Sequence, residues 1–131
     1  MSMRYSVNVV LWQNYSQEMV YKILEKGQHL GFKYEIHNQN DFKAISLNGA
    51  LNFFLEAELP YLLVTYENTS FAMGIIKSGL SLHVSFIHFG EGWKKNYLNE
   101  NEQEFDIQRY AKLMLDLIGD YKIFEFKIEL N

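Results

Sequence analysis

The chain has 131 residues, of which 48% are apolar and 16% aromatic; it has no cysteine and a formal net charge of −4. That composition excludes a disordered chain, disulfides and thiolate zinc sites. The acidic balance argues against nucleic acid or anionic lipid as a partner, since both require a cationic surface. No apolar run reaches the roughly 18 residues of a membrane span, and the first residues lack the charged and apolar regions of a signal peptide. The expectation is one cytoplasmic domain over residues 1–131, large enough to build its own core.

In chain order, residues 4–12 alternate Tyr5, Val7, Val9 and Leu11 against Ser6, Asn8, Val10 and Trp12. This is a strand whose second face is only partly polar, as in an inner strand. Asn14 or Ser16 then caps a helix carrying Met19, Val20, Ile23 and Leu24 at helical spacing, with Gly27 and Gly31 marking its end. Residues 32–37 alternate Phe32, Tyr34 and Ile36 against Lys33, Glu35 and His37, a strand with one wet face near an edge. After the polar connector 38–41 comes a helix over 47–58. Leu47, Ala50, Leu51, Phe54, Leu55 and Leu59 form its stripe, Ser46 is its cap and Pro60 its stop. A short strand over 42–47 competes for the residues before that helix.

Residues 61–89 contain three runs rich in β-branched and aromatic residues, separated by turn chemistry at 67–70 and at Ser78-Gly79. This is the signature of an antiparallel meander. Residues 90–106 form a connection far longer than the median of about 4–6 residues. A last helix follows, capped by Asp106, with Ile107, Tyr110, Ala111, Met114, Leu117 and Ile118 as its buried stripe. The final strand sets Phe124, Phe126, Ile128 and Leu130 on one face and Lys122, Ile123, Glu125, Lys127 and Glu129 on the other. The order β-α-β-α-β-β-β-α-β predicts an α+β fold. Its sheet is mixed but mostly antiparallel, with about six strands and the helices packed on one face. The first βαβ unit could supply a parallel pair.

The connection 90–106 is the leading candidate site. Glu91, Glu100, Glu102, Glu104 and Asp106 lie beside Trp93 and Tyr97. Long loops tend to carry function, aromatic side chains anchor partners, and carboxylates steer a cationic one. The plain alternative is a solvated loop whose last acids favour the helix N-terminus.

Catalytic signatures are missing from the sequence. It has no Gly-x-Ser-x-Gly, no phosphate-binding glycine loop and no His-Glu-x-x-His. His83 shares the polar side of its strand with Ser81 and Ser85, so a histidine-dependent hydrolase is a third-ranked reading against that of an ordinary strand histidine. His29 and His37 have no metal-ligand spacing, and neither a metal nor a cofactor is expected. Phe53, Phe54, Phe71, Phe86, Phe89, Phe124 and Phe126 could line a small-ligand cavity under the sheet, or could simply be core.

The acidic, cysteine-free α+β chain, its Asn- and Glu-rich loop and the helix-then-strand ending over 105–130 resemble small bacterial immunity proteins. Those proteins neutralise polymorphic or contact-dependent toxins. The resemblance implies a protein that performs no reaction and binds a cognate basic toxin, such as a nuclease, through an acidic surface. The alternative function is the small-ligand-binding module.

Overall fold

The computed structural model describes residues 4–38, 41–56, 61–67, 69–89 and 107–130. The elements are β1 (Arg4–Asn14), α1 (Gln17–Leu30), β2 (Lys33–Asn38), β3 (Asp41–Ala44) and α2 (Leu47–Glu56). After these come β4 (Tyr61–Tyr66), β5 (Thr69–Ser78), β6 (Ser81–Phe89), α3 (Ile107–Ile118) and β7 (Ile123–Leu130). The seven strands form one sheet in the order β3-β2-β4-β5-β6-β1-β7, and every neighbouring pair is antiparallel.

The α+β class with helices packed on the sheet is therefore as expected, with one strand more than the sequence suggested. The additional strand is β3, which the competing reading placed at 42–47. It folds back on β2 through a hairpin that pairs Asn38 with Asp41. Two other expectations change. β1 and β2 run in the same direction but are not partners, because three strands stand between them. β2 does lie near the edge as expected, with β3 outside it. The hairpin turn after β5 is Gly79-Leu80 rather than Ser78-Gly79. Ser78 pairs with Ser81, and Gly79 supplies the positive φ of +62° that a glycine-first hairpin turn requires.

The local chemistry explains the helix limits. Ser16 Oγ accepts the Met19 amide of α1 at 3.2 Å, and Ser46 Oγ accepts the Gly49 amide of α2 at 3.0 Å. α1 ends at Gly31, whose φ of +110° is the left-handed cap conformation. Gly27 lies within α1 and does not end it. A Cβ there would come within 2.7 Å of Phe32 Cδ2 and closer still to the Tyr34 hydroxyl. The glycine is what lets the helix lie down on those two rings.

All three helices pack on one face of the sheet. That face gathers Val7, Val9 and Leu11 of β1, Leu82, Val84 and Phe86 of β6, Phe71, Met73 and Ile75 of β5, and Leu62 and Val64 of β4. The strand register lines these residues up across the sheet. Over them lie Val20, Ile23 and Leu24 of α1, Ala50, Leu51 and Phe54 of α2, and Tyr110, Leu113, Met114, Leu117 and Ile118 of α3. Each fully buried large side chain stabilises by about 1.5–3 kcal/mol relative to exposure. Phe32 packs edge-on to Tyr34, Tyr66, Phe71 and Phe86 at centroid distances of 5.6–6.5 Å. The Tyr34 hydroxyl donates to the Leu24 carbonyl at 2.7 Å, so its burial leaves no polar group unpaired, and that burial pushes its ionisation well up.

Candidate functional site

Residues 91–106, with Glu91, Trp93, Tyr97, Glu100, Glu102, Glu104 and Asp106, lie outside the described residues. What the structure does position is the opposite face of the sheet, which no described helix covers. Register sets Ser6, Asn8 and Val10 of β1 beside Ile87, Ser85 and His83 of β6, and beside Glu129, Lys127 and Glu125 of β7. The polar side of β1's alternation thus becomes the centre of a polar track.

Within that track the imidazole of His83 is already engaged. Asn8 Nδ2 donates to Ser6 Oγ at 3.0 Å and to Glu129 Oε1 at 3.4 Å, which leaves Asn8 Oδ1 to accept from His83 Nε2 at 3.1 Å. His83 is half buried. That burial lowers its pKa from the ordinary 6.5, while Glu125 and Glu129 pull it back up. Ser85 shares the face and is buried, but its hydroxyl has no hydrogen-bond partner among the described residues. A base must reach its nucleophile at about 2.6–3.2 Å. The hydrogen bond of His83 goes across the sheet to Asn8, and none joins it to Ser81 or Ser85 among the described residues. Among them, too, no group of three or more His, Asp or Glu could hold a metal ion. No described helix is long and apolar enough to cross a membrane.

Of the phenylalanines named as a possible cavity lining, the Phe89 side chain lies outside what the structure describes, and the other six are not gathered round one space. Phe71 and Phe86 pack ring to ring at 4.7 Å in the core, and Phe54 is buried with Phe53 against it at 5.7 Å. Phe124 and Phe126 are exposed on the far edge strand. The described clefts lie elsewhere. One of about 320 Å³ is lined by Lys22, Glu25, Lys26, His29, Asp120 and Tyr121 among others, and in it Lys26 stands 3.8 Å from Asp120.

The exposed aromatic feature of this face is one that the sequence pattern did not single out. β1 leaves regular pairing on both sides at nearly the same level. It slips against β6 between Leu11 and Asn14, and against β7 between Val10 and Leu11. Phe124 is the extra residue of the β7 bulge, unpaired between Ile123 and Glu125. Trp12, held by its amide donating to the Lys122 carbonyl at 2.9 Å, meets Phe124 edge-to-face at 4.7 Å. The Lys122 ammonium sits 5.6 Å from the Trp12 ring centre. Both rings are more than half exposed, Trp12 at 56% and Phe124 at 59%. The bulge also breaks the face assignment expected for the last strand. Phe126 and Ile128 pair with Val9 and Val7 on the helix side, whereas Phe124 turns to Trp12 beside the charged row. The available signal was Trp12 itself, a large aromatic on the polar side of an alternating strand.

The chain matches no protein-family model, no curated protein and no solved structure.

Proposed function

We propose that the chain is a non-enzymatic protein-binding inhibitor of the immunity-protein kind, which holds a basic toxin against an acidic, aromatic-bearing surface. The observation that supports this reading is the exposed Trp12–Phe124 pair, with Glu125 following Phe124 and Glu129 farther along the same strand, on a face that no described helix covers. Tryptophan is the commonest kind of binding hot spot, and a rigid sheet holds it in place without ordering cost. Flanking carboxylates speed encounter with a cationic partner and set its orientation. The loop residues 91–106 supply further acids and Trp93 by sequence, and they belong to the same proposal.

The test is a calorimetric titration against the basic protein that a pull-down from the native host recovers, or against a toxin encoded beside the gene. Trp12→Ala should cost about 2 kcal/mol, roughly thirtyfold in affinity. Glu125→Lys with Glu129→Lys should slow association and flatten its salt dependence. If all these variants and the Glu100, Glu102 and Glu104 lysine replacements bind like the parent chain, the reading is lost.

A further inference from the structure

The two ends of the sheet are built differently. At one end β3 is only four residues long, a common way of protecting an edge from unwanted pairing. At the other end β7 runs for eight residues with no strand beyond it among the described residues. Its backbone N–H and C=O groups on that side are a template for another strand. Two of its apolar side chains are on the helix face yet poorly covered, Phe126 at 37% exposed and Ile128 at 47%. The opposite face of the strand reads Glu125, Lys127, Glu129, with the Lys127 ammonium 3.9 Å from Glu129.

We infer that β7 is a self-association edge, on which a second copy of this chain pairs antiparallel about a two-fold axis to give one continuous sheet. The argument is charge complementarity. In a two-fold antiparallel pair one residue faces itself, and the residues on either side of it face each other symmetrically. Centring the axis on Glu125, Lys127 or Glu129 sets like charges opposite. Centring it on Phe126 or Ile128 sets each Lys127 opposite Glu125 or Glu129 of the second copy. The same two registers put an under-covered apolar residue of the helix face on the axis, Phe126 against its own copy in one and Ile128 against its own copy in the other. A lone lysine on an edge ordinarily discourages pairing. Flanked by glutamates two residues away on each side, it instead selects among registers. Opposite charges directly across a strand pair stabilise, and like charges destabilise by similar amounts. A contact one strand wide falls at or below the roughly 1,200 Å² of the smallest stable interfaces, so the dimer is reversible and concentration-dependent.

Sedimentation equilibrium of the purified chain over the micromolar to millimolar range tests this, with circular dichroism to show that each variant keeps its sheet. The parent chain should approach twice its monomer mass. Lys127→Glu makes the row uniformly acidic and should weaken dimerisation by at least about tenfold. Glu125→Lys with Glu129→Lys makes it uniformly basic and should do the same. Mixing those two variants should restore a dimer, now of unlike chains, and the triple exchange Glu125→Lys, Lys127→Glu, Glu129→Lys should restore the homodimer. A parent chain that stays monomeric throughout would overturn the inference. So would a dimer whose strength ignores Lys127→Glu.

Discussion

His83 shows how a single side chain can be read wrongly from type and neighbours alone. A histidine between two serines on the polar side of a strand suggests a base and its nucleophile. In the folded chain the ring is tied to Asn8, and Asn8 is in turn tied to Ser6 and Glu129. Burial leads the shift of its pKa below 6.5. The consequence for stability has a definite sign. Above pH 6.5 the neutral ring costs the fold nothing. As pH falls through 6.5, the unfolded chain takes up the proton first, so the contribution of His83 to stability declines until the lowered folded pKa is passed. Urea unfolding from pH 7.5 down to 5 should show that slope, and His83→Gln should flatten it. The C2 proton of His83 should titrate with a midpoint below 6.5 by NMR. A midpoint above 6.5 would mean that Glu125 and Glu129 dominate over burial.

At the scale of elements, the placing of α1 on the sheet turns on Gly27. Alanine would improve the helix by about 1 kcal/mol in isolation. Its Cβ would also drive into the buried Phe32 ring and the Tyr34 hydroxyl, and overpacking of that kind costs about 1–3 kcal/mol. Gly27→Ala should therefore destabilise the protein by up to about 2 kcal/mol net, read as a lower urea midpoint with an unchanged slope. A stabilised variant would show that α1 can lift off β2 at no cost. The helix stripes were legible in the sequence because 3.6-residue periodicity is a local property. Val20, Ile23, Leu24, Ala50, Leu51, Phe54, Tyr110, Met114, Leu117 and Ile118 are buried where their spacing put them, whereas Leu55, expected in the stripe of α2, is exposed at its margin. The bulge at Phe124 was not legible, because a bulge is a relation between two strands more than a hundred residues apart in the chain.

For the molecule as a whole, the antiparallel sheet joins segments far apart in the chain. β1 lies between β6 and β7, so segments more than a hundred residues apart must meet before the sheet is complete. Such long-range pairing forms late and holds cooperatively. Hydrogen exchange should accordingly be slowest for amides of β5, β6 and the Val7–Leu11 part of β1, opening only with global unfolding. It should be fastest in β3, which has four residues and, among the described residues, one neighbour. Uniform protection from β3 to β1 would contradict this gradient.

Sequence by itself determined the α+β class, the three helices, the caps Ser16 and Ser46, the meander and the acidic balance. Each of these rests on neighbours within a few positions, where backbone preference and hydrophobic period act directly. Tertiary structure decided which strands are neighbours, that β3 exists as a partner of β2, and that Gly27 serves packing rather than termination. It also decided that Trp12 and Phe124 meet in the open. Those facts depend on register between distant segments, which free energy selects only once the faces are pressed together.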